Sequence, residues 1–125
     1  MTITAHAKMV GHSLKAAEIL REEHGIEAEV VNLRTIRPLD RKTIIQSVKK
    51  TNRIVNVEEG WPQHGVGAEI AALLMESEAF DYLDAPFERL AGVDVPMPYA
   101  ESIERMAVPQ IEDIVAAALK ACYRK

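Results

Sequence analysis

Short apolar runs alternate along this chain with stretches in which apolar residues recur every three or four positions, and that alternation limits the fold more than any other feature. Runs bounded by turn residues read as strands, and the longer spacing reads as helix. Taken in turn, they give strand-helix-strand units around a mostly parallel sheet with helices on its faces. A chain of 125 residues has room for one such core and little for a second. The expectation is a single three-layer α/β domain spanning residues 1–125, with no internal repeat, low-complexity tract or linker.

The first strand is expected from Ile3 to Val10, broken by Gly11. Ser13 then caps a helix whose Leu14, Ala17 and Leu20 share a face and which Gly25 stops. A second strand follows from Ala28 to Leu33. Arg34 to Pro38 reads as a loop, because a residue before proline avoids helical geometry. Asp40 is a good cap for a helix carrying Ile44, Ile45 and Val48, ending near Thr51 and Asn52. Arg53 to Val57 is a third strand. The glycine- and proline-rich segment Glu58 to Gly67 is a loop leading into an Ala/Leu-rich helix that runs to about Glu78. Phe87 to Ala91 is a fourth strand, and Val93 to Tyr99, with prolines at 96 and 98, suits an edge or a loop. Pro109 suits the first turn of a last helix with Ile111, Ile114, Val115, Ala118 and Cys122 on one face.

Hydrophobic residues at 48% and charged residues at 27% fit a folded globular domain, with no apolar stretch of membrane-spanning length. Nineteen acidic against fifteen basic side chains give a formal charge of −4, and the bases are scattered apart from Arg124 and Lys125. Nucleic acid is an unsuitable partner for such a surface. The single cysteine, Cys122, rules out an internal disulfide and a multi-cysteine metal site and reads as a core-facing thiol of a reducing compartment. The N-terminus lacks the basic-then-apolar pattern of a signal peptide.

The residues that could carry chemistry each have a simpler structural reading. Gly65 and Gly67 before a helix could offer amides to a phosphate. A dinucleotide fingerprint, however, needs a third glycine where Ile70 stands, so tight turning and close packing explain the pair better. Glu58, Glu59 and His64 could form an acid-base group, but glutamates after a strand commonly cap loops, and no second histidine stands at metal-ligand spacing from His64. His6, His12 and His24 are spread over different elements. No P-loop, G-x-S-x-G or H-E-x-x-H occurs. No catalytic, cofactor-binding or metal residue is therefore assigned. Trp61, the only tryptophan, lies in the glycine-proline loop, where it either anchors an interface or covers the domain's own core. The stretch Pro96 to Tyr99 offers a rigid apolar surface with the same two readings.

The strings VNLRTIRPLD, SVKKTNRIVNVEEGWPQHGVGAEI, YLDAP and GVDVPMPYAESIE, in this order, closely resemble the beta-subunit family of the thiamine-dependent pyruvate dehydrogenases, over essentially the whole chain. The resemblance implies a transketolase C-terminal-type domain with a mainly parallel five-stranded sheet that includes one antiparallel strand. It also implies a parent enzyme that decarboxylates pyruvate oxidatively and transfers acetyl to lipoyl groups, with thiamine diphosphate and magnesium held outside this chain. The implied partners are the alpha subunit, a second beta subunit, and the subunit-binding domain of the dihydrolipoyl acetyltransferase. The implied compartment is the mitochondrial matrix, with the bacterial cytoplasm as the alternative. Residues Glu59 to Glu69 match the family's Gly-rich interface loop, and Asp84 matches an acidic position suited to a basic partner. The interface candidates are accordingly Glu59, Trp61, Pro62, His64, Gly65, Gly67, Asp84 and Tyr99. In some relatives the terminal carboxylate joins that contact; here the basic end Arg124-Lys125 departs from the pattern. The readings to be separated are an assembly and docking domain without a complete active site, a freestanding nucleotide- or phosphate-binding α/β protein, and a domain that self-associates through surface its partners would cover.

Overall fold

A computed structural model describes residues 1–96 and 99–124 of the chain. In chain order the elements are β1 (Thr2–Ala5), α1 (Lys8–His24), β2 (Glu29–Asn32), α2 (Arg41–Thr51), β3 (Ile54–Val57), α3 (Val66–Glu76), a 3-10 turn (Glu78–Tyr82), β4 (Glu88–Leu90), α4 (Glu101–Ala107) and α5 (Ile111–Ala121). The strands form one sheet in the order β2-β1-β3-β4, and every pairing is parallel, with Ile3 opposite Val30 and Val55, and Val57 opposite Leu90. The two central strands are wholly buried, as expected of parallel strands covered on both faces.

Period-two alternation sorts the core into two halves. Ile3, Ala5, Val55 and Val57 face α1 and α5, where they meet Met9, Leu20, Ile114 and Ala118. Val31, Leu33 and Ile54 face α2 and α3, where they meet Ile44, Val48, Ile70 and Leu73. On that second face β1 presents Thr2 and Thr4. Burying these hydroxyls costs little because each is paired: Thr2 Oγ1 lies 2.6 Å from Ser47 Oγ, and Thr4 Oγ1 donates to Asn56 Oδ1 at 2.9 Å.

Several boundaries differ from the sequence expectation. The first strand stops at Ala5, and α1 begins at Lys8, because Ala7 takes a positive φ of 52° that turns the chain. Gly11 therefore lies within the helix rather than breaking it, and Ser13 is buried on the core face instead of capping. That face is Met9, Ser13, Ala16 and Leu20, and Leu14 points outward, 55% exposed. Gly25 does end α1, in the left-handed conformation that favours glycine. Asp40 does cap α2, accepting from the Thr43 amide at 3.2 Å. Helix α3 stops at Glu76, and Ser77 starts the 3-10 turn, its hydroxyl accepting from the Ala79 amide. Pro109 precedes the α5 cap instead of lying in the first turn. The cap is Gln110, whose amide donates to Asp113 Oδ2 at 2.8 Å.

The sheet has four strands among the described residues, and the expected fifth, antiparallel strand is not one of them. The chain after β4 is tied elsewhere: the Gly92 amide donates to the Gly60 carbonyl at 2.8 Å, and the Val93 amide to the Ala107 carbonyl at 2.9 Å. Of the expected extended stretch Val93 to Tyr99, residues 97 and 98 lie outside the described residues, as does Lys125 at the basic end.

Candidate functional site

The glycine-rich loop is organised by a side chain at its root. Ile54, Asn56 and Glu58 alternate onto one face of β3 and its extension, so Glu58 points inward and is only 2% exposed. Its Oε2 accepts from the Gly67 amide at 3.3 Å, in the first turn of α3. Its Oε1 lies 3.7 Å from Arg89 Nη2, and that guanidinium also donates to the Pro62 carbonyl. The positive end of the α3 dipole is thus met by the chain's own carboxylate, where a bound phosphate would otherwise be expected.

The two glycines follow from that carboxylate. A Cβ on Gly65 would lie 2.5 Å from Glu58 Oε1 and 2.6 Å from the Trp61 carbonyl. One on Gly67 would lie 2.7 Å from Arg89 Nε and 2.8 Å from Asn56 Nδ2. Both positions are glycine so that Glu58, Asn56 and Arg89 can close on the loop, which is the structural alternative weighed for the pair.

His64 is exposed, with a left-handed φ of 59°, while Glu58 is buried. No hydrogen bond or ion pair joins His64 to Glu58 or Glu59 among the described residues, so the three do not come together as an acid-base group. Among the described residues no three His, Cys, Asp or Glu side chains cluster as a metal site, and no helix is long and apolar enough to cross a membrane. Cys122 is partly buried, its Sγ 3.9 Å from Met1 Sδ.

Glu59, Trp61, Pro62, His64, Gly65 and Gly67 all lie at the carboxyl end of the sheet. Trp61 is 53% exposed and donates its indole N–H to the Val95 carbonyl at 3.1 Å, which joins the loop to the chain after β4. Around this joint Val93, Val95, Ile103 and Met106 are exposed, and with Ala107 they line a cavity of about 230 Å³. Tyr99, just before α4, is fully exposed.

Asp84 is not part of this group. It is exposed, and its amide donates to the Asn52 carbonyl at 2.8 Å, before the start of β3. Six residues of extended chain from Asn52 to Glu58 span roughly 20 Å, so Asp84 sits at the opposite, amino edge of the sheet. The C-terminal segment is at that edge as well: Arg53 donates to the Ala121 carbonyl at 2.7 Å and stacks its guanidinium over the Tyr123 ring at 5.4 Å. Arg124 donates to the His24 carbonyl at 2.6 Å.

The loop-capping alternative weighed for Glu58 is the one its bond from the Gly67 amide shows, while the roles of Asn56, Arg89 and Gly92 have no counterpart in the sequence expectations. The signal for Glu58 was present in the Ile54-Asn56-Glu58 alternation. Nothing local marked Gly92, whose absent Cβ makes room for the Glu59 carbonyl.

Comparison with known proteins adds a consistent picture. The family model described as "Transketolase, C-terminal domain" matches residues 1–114. The chain is 68% identical over 124 residues to the mitochondrial pyruvate dehydrogenase E1 component subunit beta-1 of Oryza sativa subsp. japonica, covering 99% of this chain and 33% of that protein. It is 59% identical over 120 residues to the corresponding mitochondrial subunit beta of Bos taurus, covering 96% of this chain and 33% of that one. A solved structure, "Split gene transketolase, inactive beta4 tetramer", superposes with a TM-score of 0.82 at 31% identity over 99% of this chain and 38% of its own. The chain therefore spans about a third of the curated relatives it matches.

Proposed function

The chain belongs to the transketolase C-terminal domain family, and from that premise we propose that it is the assembly and docking domain of a pyruvate dehydrogenase E1 beta subunit. The observation that supports this reading is the division of its interface candidates between the two ends of the sheet, Trp61 and its neighbours at one and Asp84 at the other. At the carboxyl end, exposed Trp61, Val93, Val95, Ile103 and Met106 suit burial against another subunit, since large apolar side chains grouped on a surface mark contact sites. The proposed occupants are the alpha subunit and the second beta subunit of a heterotetramer. At the amino edge, exposed Asp84 suits a basic docking partner, proposed to be the subunit-binding domain of the dihydrolipoyl acetyltransferase.

The whole enzyme's proposed reaction is oxidative decarboxylation of pyruvate with acetyl transfer to lipoyl groups in the mitochondrial matrix, using thiamine diphosphate and magnesium. The residues present here do not fit that cofactor. The buried carboxylate Glu58 is engaged by Gly67 and Arg89, and no metal-holding cluster occurs among the described residues. Its binding is assigned to the rest of the assembly.

The test is calorimetric titration of the chain with the isolated subunit-binding domain at low and high salt. Saturable binding that weakens with salt is expected, with Asp84→Lys lowering affinity tenfold or more through a like-charge contact. Unchanged affinity in that variant would remove Asp84 from the contact, and no binding would remove the docking role from the isolated domain.

A further inference from the structure

The chain's charge is not spread evenly. Between Leu33 and Val57 it carries seven bases, Arg34, Arg37, Arg41, Lys42, Lys49, Lys50 and Arg53, against one acid, Asp40, a net charge of +6. Taking these from 15 bases and 19 acids leaves 8 bases against 18 acids, so the rest of the chain stands at −10. Four of the seven bases are engaged by the fold itself: Arg41 meets Glu69, Lys49 meets Glu78 and Lys50 meets Glu29, and Arg53 donates to the Ala121 carbonyl. Arg34, Arg37 and Lys42 are exposed, and among the described residues no carboxylate lies within ion-pair distance of them. The segment's one acid is committed elsewhere, since both oxygens of Asp40 accept from Thr43 at the start of α2.

These three cations sit at one end of the molecule on fixed backbone. Arg34 and Arg37 follow the end of β2, and Lys42 stands in the first turn of α2, so all three lie at the carboxyl end of the sheet. Lys42 is also at the positive end of the α2 dipole, where a cation is disfavoured. Arg34 takes a positive φ of 57°, which is costly for a residue other than glycine and persists where the surroundings fix it. Here they do: the Arg34 amide donates to Asn32 Oδ1 at 3.1 Å, and Thr35 Oγ1 donates to the Pro38 carbonyl at 2.9 Å. Between the two arginines Ile36 is 43% exposed. Arginines on a fixed loop suit carboxylates, which they meet with paired, charge-assisted bonds, and the exposed isoleucine offers an apolar contact that a bare anion cannot use. Three cations are few for nucleic acid, whose binders commonly neutralise roughly 6–10 phosphates.

We propose that the loop from Arg34 to Pro38, together with Lys42, is a contact for an acidic segment of a partner protein, whose carboxylates Arg34, Arg37 and Lys42 receive and whose apolar side chain rests on Ile36. This surface is separate from both contacts proposed above. Strand β2 is at the edge of the sheet, β1 lies between it and the strand that leads into the Trp61 loop, and Asp84 is at the opposite end. The inference therefore stands whether or not the domain docks through those surfaces.

The experiment uses the full chain, ¹⁵N-labelled, titrated with a synthetic peptide that carries Glu and Asp around leucine, with the same peptide in which Lys replaces the acids, with inorganic phosphate, and with a short single-stranded DNA. The acidic peptide is expected to saturate, to weaken as salt rises, and to move the amide signals of Arg34, Thr35, Ile36, Arg37 and Lys42 most. Arg37→Glu and Lys42→Glu should each lower its affinity about tenfold by placing like charges in the contact. Both positions are exposed and have no ion pair of the fold to lose. Lys15→Glu on α1 should have no effect. Unchanged affinity in both charge-reversal variants, largest shifts away from the loop, equal binding of the Lys peptide, or no saturation would each overturn the contact. Phosphate or DNA binding as tightly as the acidic peptide would overturn the choice of a protein partner, and shifts that follow the chain's own concentration would overturn the choice of a partner other than a second copy.

Discussion

Gly67 and Gly11 both lie inside helices, and replacing each with alanine should shift stability in opposite directions. At Gly11, on α1, an added Cβ meets nothing within 4 Å. Alanine there gains helix propensity and restricts the unfolded chain, worth about 0.5–1 kcal/mol of added stability. At Gly67 the same gain is opposed by contacts of 2.7 Å to Arg89 Nε and 2.8 Å to Asn56 Nδ2, so the neighbours must retreat by about 0.7 Å to reach ordinary separation. Arg89 is partly exposed and can swing out, though only by leaving Glu58. Asn56 is wholly buried and held by Thr4 at 2.9 Å, so it has little room. Overpacking of this kind costs about 1–3 kcal/mol, and loosening the Gly67 amide from a charged acceptor about 1.5–3 kcal/mol more where the bond is lost outright. Gly67→Ala should therefore destabilise the domain by about 2 kcal/mol net of the propensity gain. Urea unfolding followed by far-ultraviolet circular dichroism measures both variants on one scale, provided their m values agree. If Gly67→Ala stabilised the chain as Gly11→Ala does, the closure of Asn56 and Arg89 on the loop would not be what requires glycine there.

Two further outcomes follow from the core and from titration. Ile114 is fully buried between α5 and the sheet, and Ile114→Ala should lower the unfolding free energy by about 3 kcal/mol in the same urea assay. Glu29 has its carboxyl held below the ordinary value of 4.5 chiefly by the hydrogen bond from Lys50, with Ser47 adding a second, against some desolvation. Asp40 is held below 3.8 by its hydrogen bonds from Thr43. A depressed folded pKa means that the unfolded chain takes up the proton first. Their stabilisation is thus complete above about pH 5, and it is lost as pH falls through the depressed folded values. Glu29→Gln should flatten the stability profile below pH 5 and leave its slope near neutrality unchanged; an unaltered acid limb in thermal melts would refute the assignment.

The elements that sequence reasoning located are those whose residues announce both period and ends. Helix α2 combines a capping Asp40, buried Ile44 and Val48, and a left-handed Asn52 at its close; each of these types carries its own local preference. The α1 start was misplaced because an alanine makes the turn. Nothing in alanine's chemistry signals a positive φ, whereas Gly11 looks like a breaker even though it sits on an exposed helical surface. Helix α4 was missed because, of its residues with described burial, only Ala107 is buried, so it has no apolar face to show a period. At the site, Trp61 kept two readings, while the segment was legible as a loop and Gly65 and Gly67 as packing positions. Which groups press on that loop was not, because Arg89 and Gly92 arrive from β4 and beyond, and only tertiary structure brings them to Glu58 and Glu59.

In open parallel sheets the carboxyl edge, where the strand order reverses, is the usual place for a ligand, because helix N-termini point there and loops there are free to vary. This domain has that edge, with the reversal at β1 and β3. It has filled the helix end with Glu58 and fastened the loop to the chain after β4 through Gly60, Trp61, Gly92 and Val95. An internal carboxylate at the α3 terminus needs no external anion to satisfy it, and the loop held over it turns Trp61 outward together with Val93 and Val95. The physical requirement that would have favoured a phosphate is met from within, and the surface that results is apolar and exposed, better suited to another protein surface than to a small anionic ligand. Asp84 lies at the amino edge of the sheet, away from this loop. The two proposed contacts can therefore be occupied together, as a domain that joins an assembly through one surface and receives a partner on another requires.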